Sequence, residues 1–409
     1  MTTIQTRKKL VMPDMSEQTP RRQLIVAMGL RYDPLITSVS ESDPAADFGE
    51  IYVDPQPSLL DMLRQTTSAL VFADYGMGKT ATRLALEYTL RNSYEPSPPL
   101  CVTYTPRIDL LENGDAADIL TRHLTAISRE IAIDLIIQLI ERQDCDPETL
   151  SAKQQAALRR QARALPLRLR HRIRDAAASG PSDGVIWHGI RPVARYVAMT
   201  PRWLGWIDRI NSAFVPGAPQ PVAWEQALED TRTLGFPRVF LLIDAVDEGA
   251  INRDALQAVV APLLNAIGRF QDQKMLLKCF LPTDLLELVR DTYQKRFQGL
   301  TVPVELATIA EVPRDHLEAI VNERLQAASA SNASFRSLDW LKGSEITESI
   351  QARLAILARG SPRRMIELAS ALLDFHSEHG FRQKERLRLT AAEWQEFLAR
   401  IERLSLASP

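Results

Sequence analysis

The stretch that most constrains the fold is Ala73-Asp74-Tyr75-Gly76-Met77-Gly78-Lys79-Thr80. It follows Ser68-Ala69-Leu70-Val71-Phe72, an apolar run with the pattern of a buried strand. It precedes Ala81-Thr82-Arg83-Leu84-Ala85-Leu86-Glu87-Tyr88, which reads as a helix. Glycines in such a loop let the backbone wrap an anion. The helix start behind them supplies N–H donors without intrahelical partners and the positive end of the helix dipole. A strand, a glycine-containing loop and a helix in this order belong to an α/β fold.

The context is that of a phosphate-binding P-loop. Residues Ala73, Asp74, Tyr75, Gly76, Met77, Gly78, Lys79, Thr80 and Ala81 form the expected cradle. Lys79 is placed to reach β- and γ-phosphates, and the Thr80 hydroxyl to ligate Mg²⁺. Ala73 stands where the motif has its first glycine. The competing explanation is a chance Gly-Lys-Thr after a strand.

A chain of 409 residues has room for one large domain and a smaller one. A net charge of −2 gives no global field favouring nucleic acid or an acidic membrane. Cys101, Cys145 and Cys279 are scattered and lack metal-ligand spacing, as in a protein of the reducing cytoplasm. Lys8 and Lys9 are followed by no apolar run, so no signal peptide is expected. No membrane span is expected either, because no apolar window is long enough.

The second decisive stretch is Arg238-Val239-Phe240-Leu241-Leu242-Ile243-Asp244-Ala245-Val246-Asp247-Glu248. Its apolar run reads as a central parallel strand with carboxylates emerging at the carboxyl end, where open α/β sheets bind ligands. Asp244 is the expected Mg²⁺ ligand. Glu248 is the expected residue to polarise an attacking water, with Asp247 as assistant or alternative. Lys274 to Leu281 reads as the next buried strand, with Thr283 after it as candidate γ-phosphate sensor and Lys278 as competitor, the alternative for either being a structural role. A helix over 284–296 and a strand over 301–306 follow. Arg296, with Lys295 and Arg290 as alternatives, is a candidate to act on a neighbouring subunit's γ-phosphate; the alternative is an arginine at a helix C-terminus.

Residues 1–28 read as a tail, and 29–58 as an irregular approach punctuated by prolines. Tyr52 and Val53 either pack as in any pre-core loop or, by resemblance to P-loop ATPases of the AAA+ type, whose corresponding segment folds over the base, contact adenine. A short helix over 58–65, a strand over 100–104 and a long helix over 115–142 are expected. Between Lys153 and Arg174 the chain holds eight Lys/Arg and no acid, a basic amphipathic helix interrupted near Pro166. It is either a nucleic-acid surface or a solvated face paired with acids elsewhere. Trp187, Trp203, Trp206, Phe214 and Trp224 form an aromatic cluster suited to a core or a partner surface. From Pro313 the pattern is helical. Gly360-Ser361-Pro362-Arg363 ends one helix and starts the next, which puts Arg363 in a first helical turn. Arg359 and Arg364 are its neighbouring alternatives. A helix over 391–404 closes the chain.

Together, Gly78-Lys79-Thr80, the stretch 241–248 and Gly360-Ser361-Pro362-Arg363 resemble a P-loop ATPase of the AAA+/STAND type. The acidic stretch is similar to that of NACHT-like STAND proteins. The Gly-Ser-Pro-Arg turn is similar to the sensor-2 turn of AAA+ lids, including those of origin-recognition-type initiators. The resemblance implies a three-layer α/β core with a parallel sheet over 29–307 and a large helical insert at about 110–236. It implies a helical lid over 308–380 and a terminal helix in 381–409. It further implies ATP/ADP and Mg²⁺ as ligands, Arg363 as the lid arginine, and a nucleotide-driven switch. That switch would work as a homo-oligomer or with an effector on another chain, in bacterial defence or signalling. The alternative is a DNA-associated AAA+ ATPase acting through residues 153–174.

Overall fold

The structure, a computed structural model, describes residues 19–36, 48–93, 97–106, 115–142, 146–179, 201–214, 218–244, 253–329, 335–382 and 386–407. The first described element is helix α1 (Pro20–Ala27), where the sequence reading expected a tail. The reason is local: the Thr19 hydroxyl caps the Arg22 N–H, Pro20 opens the first turn, and Leu24 and Ile25 are buried. Helices α2 (Phe48–Ile51) and α3 (Leu59–Arg64) lead into strand β1 (Ala69–Ala73), then α4 (Lys79–Arg91) and β2 (Leu100–Tyr104). The insert comprises α5 (Ala116–Glu141), α6 (Ala152–Ala164), α7 (Leu167–Ser179), α8 (Pro201–Ser212) and α9 (Trp224–Thr233). Strand β3 (Val239–Ile243) precedes α10 (Arg253–Asn265) and α11 (Ile267–Asp272). Strand β4 (Met275–Leu281), α12 (Leu286–Gln298) and β5 (Glu305–Ile309) follow. The later helices are α13 (Arg314–Ala328), α14 (Ile350–Ala358), α15 (Pro362–His376) and α16 (Ala391–Ala407).

The fold is mixed α/β around a five-stranded, all-parallel sheet in the order β2-β3-β4-β1-β5. Strands β1, β3 and β4 are buried at every position, as near-continuous apolar runs in a parallel sheet must be. β4 lies between β1 and β3, so the strands feeding the two sequence motifs are second neighbours. The last strand begins at Glu305, four residues after the expected Thr301. Pro303 explains the shift, since it has no N–H to donate to a ladder.

Edge strand β2 is closed by side chains of α5 instead of by a further strand. Gln138 Oε1 accepts the Cys101 N–H at 3.1 Å and Nε2 donates to the Cys101 carbonyl at 2.6 Å. Asp134 accepts the Thr103 N–H at 3.2 Å. These bonds satisfy backbone groups that an open edge would leave for another chain. Helix α6 starts with a capping box of Ser151 and Gln154. It is tied to α9 by Arg160 and Gln161, both donating to the buried Asp230 carboxylate. The basic stretch is thus two helices, parted at Leu165 and Pro166. Of the aromatic cluster, Trp206 is fully buried and Trp224 packs edge-on to Phe270 at 5.5 Å. Phe214 lies under Arg170 and Arg174. Trp187 and the Trp203 side chain lie outside the described residues.

The chain divides into two compact units. The larger spans 39–316 and takes back residues 360–363; the smaller holds residues up to 38, 317–359 and 364 onward. In the smaller unit, Leu30 bridges to Ser329 in antiparallel fashion, and Arg324 donates to the Pro34 carbonyl at 3.1 Å. The segment after α1 therefore belongs with the helices, whereas the sequence reading placed the start of the core at residue 29. Buried Gln351 ties the unit together, donating to the Glu318 carbonyl and to Asn322, and accepting from Ser337 and Leu338.

Candidate functional site

β1 delivers Ala73 to the carboxyl edge of the sheet, paired with Ile309 and fully buried. Its backbone stays out of the left-handed region; Ser58, Lys274 and Arg359 are the described non-glycine residues found there. The first motif glycine is therefore dispensable on conformational grounds. Gly76 (φ +79°) and Gly78 (φ +95°) are the positions where the loop needs glycine. Gly78 precedes the first turn of α4 and offers no capping side chain. A Cβ placed on it would meet nothing within 4 Å, so the loop is open on that side. Buried Lys79 turns its Nζ back to the Ala73 carbonyl at 2.7 Å and the Asp74 carbonyl at 3.4 Å. Thr80 and Ala81 follow in the first helical turn, both half-buried. Open glycine, uncapped helix start and ammonium together suit a phosphate group.

Asp244 lies directly past β3, its N–H donating to the Tyr104 carbonyl at 3.4 Å. Its side chain is 4% exposed and its Oδ2 accepts from Arg83 Nε at 3.0 Å. Arg83 stands one turn beyond Lys79 on α4, so it joins the two motifs across intervening β4. Arg83 also donates to Glu87 at 3.0 Å. Glu87 accepts from Arg91 Nε and the Thr103 hydroxyl. Arg91 reaches on to Asp134 at 2.8 Å and Glu141 at 2.9 Å on α5. Burial opposes the Arg91 charge, but the carboxylates of Glu141, Glu87 and Asp134 outweigh it and hold the guanidinium protonated. The sequence reading missed Arg83. Its one signal was the Arg83, Glu87, Arg91 spacing on a helix otherwise apolar around them.

Thr283 comes two residues after Leu281, which pairs with Phe72, so it stands at the same edge as the glycine loop. Lys278 does not: it pairs with Ala69, and its Nζ donates to the Gln65 carbonyl at 3.0 Å and to the Thr67 carbonyl. These carbonyls precede β1, at the opposite edge, and burial pushes the amine down to about 7. Tyr52 donates to Thr82 at 3.2 Å on α4, with half-buried Val53 beside it and Gly49 tight against the Tyr88 ring. Arg296 donates to the Asn265 side chain and carbonyl, each at 2.6 Å, at the end of α10, which is the helix C-terminus alternative. Arg290 pairs with Glu287, and Lys295 is exposed.

The turn 360–363 reaches the glycine loop. The Arg363 N–H donates to the Gly76 carbonyl at 3.3 Å and the Ser361 hydroxyl to the same oxygen at 3.4 Å. The Arg363 guanidinium lies over the Tyr75 ring at 4.1 Å. Gly360 (φ +76°) backs onto Glu311, where a Cβ would come within 2.6 Å of the Glu311 side chain. Arg359 ends α14 in the left-handed region and Arg364 lies in the first turn of α15. Asp247 and Glu248 lie outside the described residues.

Among the described residues no cluster of three or more His, Cys, Asp or Glu stands ready for a metal. Thr80 and Asp244 are hard oxygen donors of the kind Mg²⁺ takes beside phosphate oxygens and water. In the basic stretch, Lys153 pairs with Glu229, Arg160 with Asp230, and buried Arg170 donates to the Leu165 and Arg163 carbonyls. Arg159, Arg163, Arg168 and Arg174 are exposed. No protein-family model matches the chain, and no curated protein matches it by sequence. Among the described residues no helix is long and apolar enough to cross a membrane.

Proposed function

We propose that the chain binds and hydrolyses ATP as a regulatory P-loop ATPase of the AAA+/STAND type. The observation that supports this reading is the hold of Arg83, one turn beyond Lys79 on α4, on Asp244 just past β3 at 3.0 Å, which ties the helix of the glycine loop to the acidic strand end. The chain's own groups divide the work. Helix-start N–H groups and Lys79 hold the phosphates, Thr80 and Asp244 hold the metal, and Thr283 faces the γ-phosphate. Tyr52 and Val53 flank the base. Glu248, with Asp247 beside it, takes up the proton of the attacking water. Bound Mg²⁺ neutralises phosphate charge. Arg363, already at the loop, couples nucleotide to the helices that follow it, so ATP favours one arrangement over another. Arg296 would reach a second copy only by leaving Asn265, to which it donates here.

The switch is proposed to act in the cytoplasm, as a homo-oligomer or with a separate effector, in defence or signalling. The test is the mass of purified Glu248→Gln protein with ATP·Mg²⁺ or ADP, each with and without duplex DNA. Lys79→Ala serves as the control that loses nucleotide. Assembly with ATP alone supports the switch. A Glu248→Gln protein that hydrolyses ATP at the wild-type rate removes Glu248 from its role and leaves Asp247.

The exposed Arg159, Arg163, Arg168 and Arg174 favour a second reading, a DNA-associated ATPase in replication, transposition or repair. Assembly only with DNA, with salt-dependent binding lost on neutralising those arginines, supports it.

A further inference from the structure

Asp244 meets the rest of the site through an internal cation. Arg83 Nε occupies its Oδ2 at 3.0 Å, and both side chains are nearly dry, 6% and 4% exposed. A guanidinium is a permanent charge, so at this depth it competes with any second cation for the same carboxylate. Arg83 is itself shared. Its Nη1 donates to Glu87 at 3.0 Å, and Glu87 is fully buried between Arg83, Arg91 and the Thr103 hydroxyl. Glu87 therefore holds part of the Arg83 charge away from Asp244. Arg91, one turn further along α4, in turn keeps Glu87 in place and is itself anchored by Asp134 and Glu141 on α5.

We infer that Arg83 is a positioning residue and the internal counter-ion of Asp244, and that Arg83 and Glu87 together set how much divalent cation the site needs to hold nucleotide. The inference rests on the nucleotide reading above. Arg83 orients the carboxylate from α4, the helix that also carries Lys79 and Thr80, and so fixes the distance between the two halves of the site. The same contact lowers the pull of Asp244 on a divalent ion. Glu87 relieves that effect by drawing on Arg83 from the other side.

Two substitutions on this contact chain then act in opposite directions. Arg83→Met removes the competing charge, and the MgCl₂ concentration that half-saturates binding of an N-methylanthraniloyl-ATP probe falls about three- to tenfold. Turnover also falls, because the carboxylate is no longer held. Glu87→Gln removes one of the carboxylates that share the Arg83 charge with Asp244, and the half-saturating MgCl₂ rises by a similar factor. A purely structural role for either residue lowers thermal stability in both variants and shifts Mg²⁺ dependence in neither, or in the same direction.

The experiment is a MgCl₂ titration of probe fluorescence for the full chain and both variants, with thermal unfolding in EDTA alongside. Opposite shifts support the inference. Equal or absent shifts, with wild-type binding intact, overturn it and leave the nucleotide reading standing. If the wild-type chain binds no probe at any MgCl₂, the nucleotide reading itself fails. Should Arg83→Met not fold, the sign of the Glu87→Gln shift decides alone.

Discussion

The Arg363 guanidinium rests 4.1 Å from the centre of the Tyr75 ring, while the Arg363 N–H holds the Gly76 carbonyl at 3.3 Å. A residue from the start of a late helix thus grips the glycine loop by both backbone and side chain. Tyr75 is 76% exposed, so its ring–cation contact is worth about 0.5–1 kcal/mol. A double-mutant cycle of Tyr75→Ser with Arg363→Met, followed by urea unfolding, should return a coupling of that size. Tyr75→Phe should preserve it. A coupling near zero means that the ring does not hold the arginine.

Ala73→Gly restores the motif's first glycine. The backbone there is extended and buried, so the change gains no freedom the loop uses. We expect nucleotide affinity within twofold of wild type and a loss of stability of about 0.5–1 kcal/mol, the usual cost of glycine in a strand. Tighter binding by this variant would mean that the alanine strains the loop.

Arg91 lies at the centre of three buried carboxylates, and its three nitrogens each serve a different one. Arg91→Met leaves them without that partner, at a cost of about 3–5 kcal/mol. Arg91→Lys should recover little, because a point charge cannot reproduce the planar fork. Urea unfolding of both variants checks this; a lysine variant as stable as wild type would show that charge alone suffices.

His123 is buried between the Tyr104 hydroxyl at 2.8 Å and the Val259 carbonyl at 2.9 Å. Burial pushes its pKa down to about 4 from the ordinary 6.5. The unfolded chain takes up a proton below pH 6.5 and the folded chain does not until about pH 4. The stability contributed by the neutral ring is therefore complete above pH 6.5 and is lost as pH falls toward 4, by roughly 3 kcal/mol. Unfolding free energy measured across this window should fall less steeply in His123→Gln than in wild type. Equal slopes would assign the acid sensitivity to other groups.

Much of the local structure that carries the candidate site was legible because its signals are local. Glycine at positive φ, a lysine at a helix start and an acid after five apolar residues depend on neighbours within one element, so Gly78, Lys79 and Asp244 could be read in order along the chain. The same holds for the break at Pro166 and the long helix ending at Glu141. Strand order was not legible. The placement of β4 between β1 and β3 comes from packing of apolar faces that look alike in sequence. With it came the position of Lys278, a strand residue whose ammonium turns to the carbonyls before β1, at the edge opposite the glycine loop. Arg83, Glu87 and Arg91 looked like ordinary helix charges. Only the tertiary structure buries them against Asp244, Asp134 and Glu141, because a charge's role depends on which carboxylates folding brings within 3 Å of it. That information is spread over residues 43 to 161 positions apart, and no local pattern holds it.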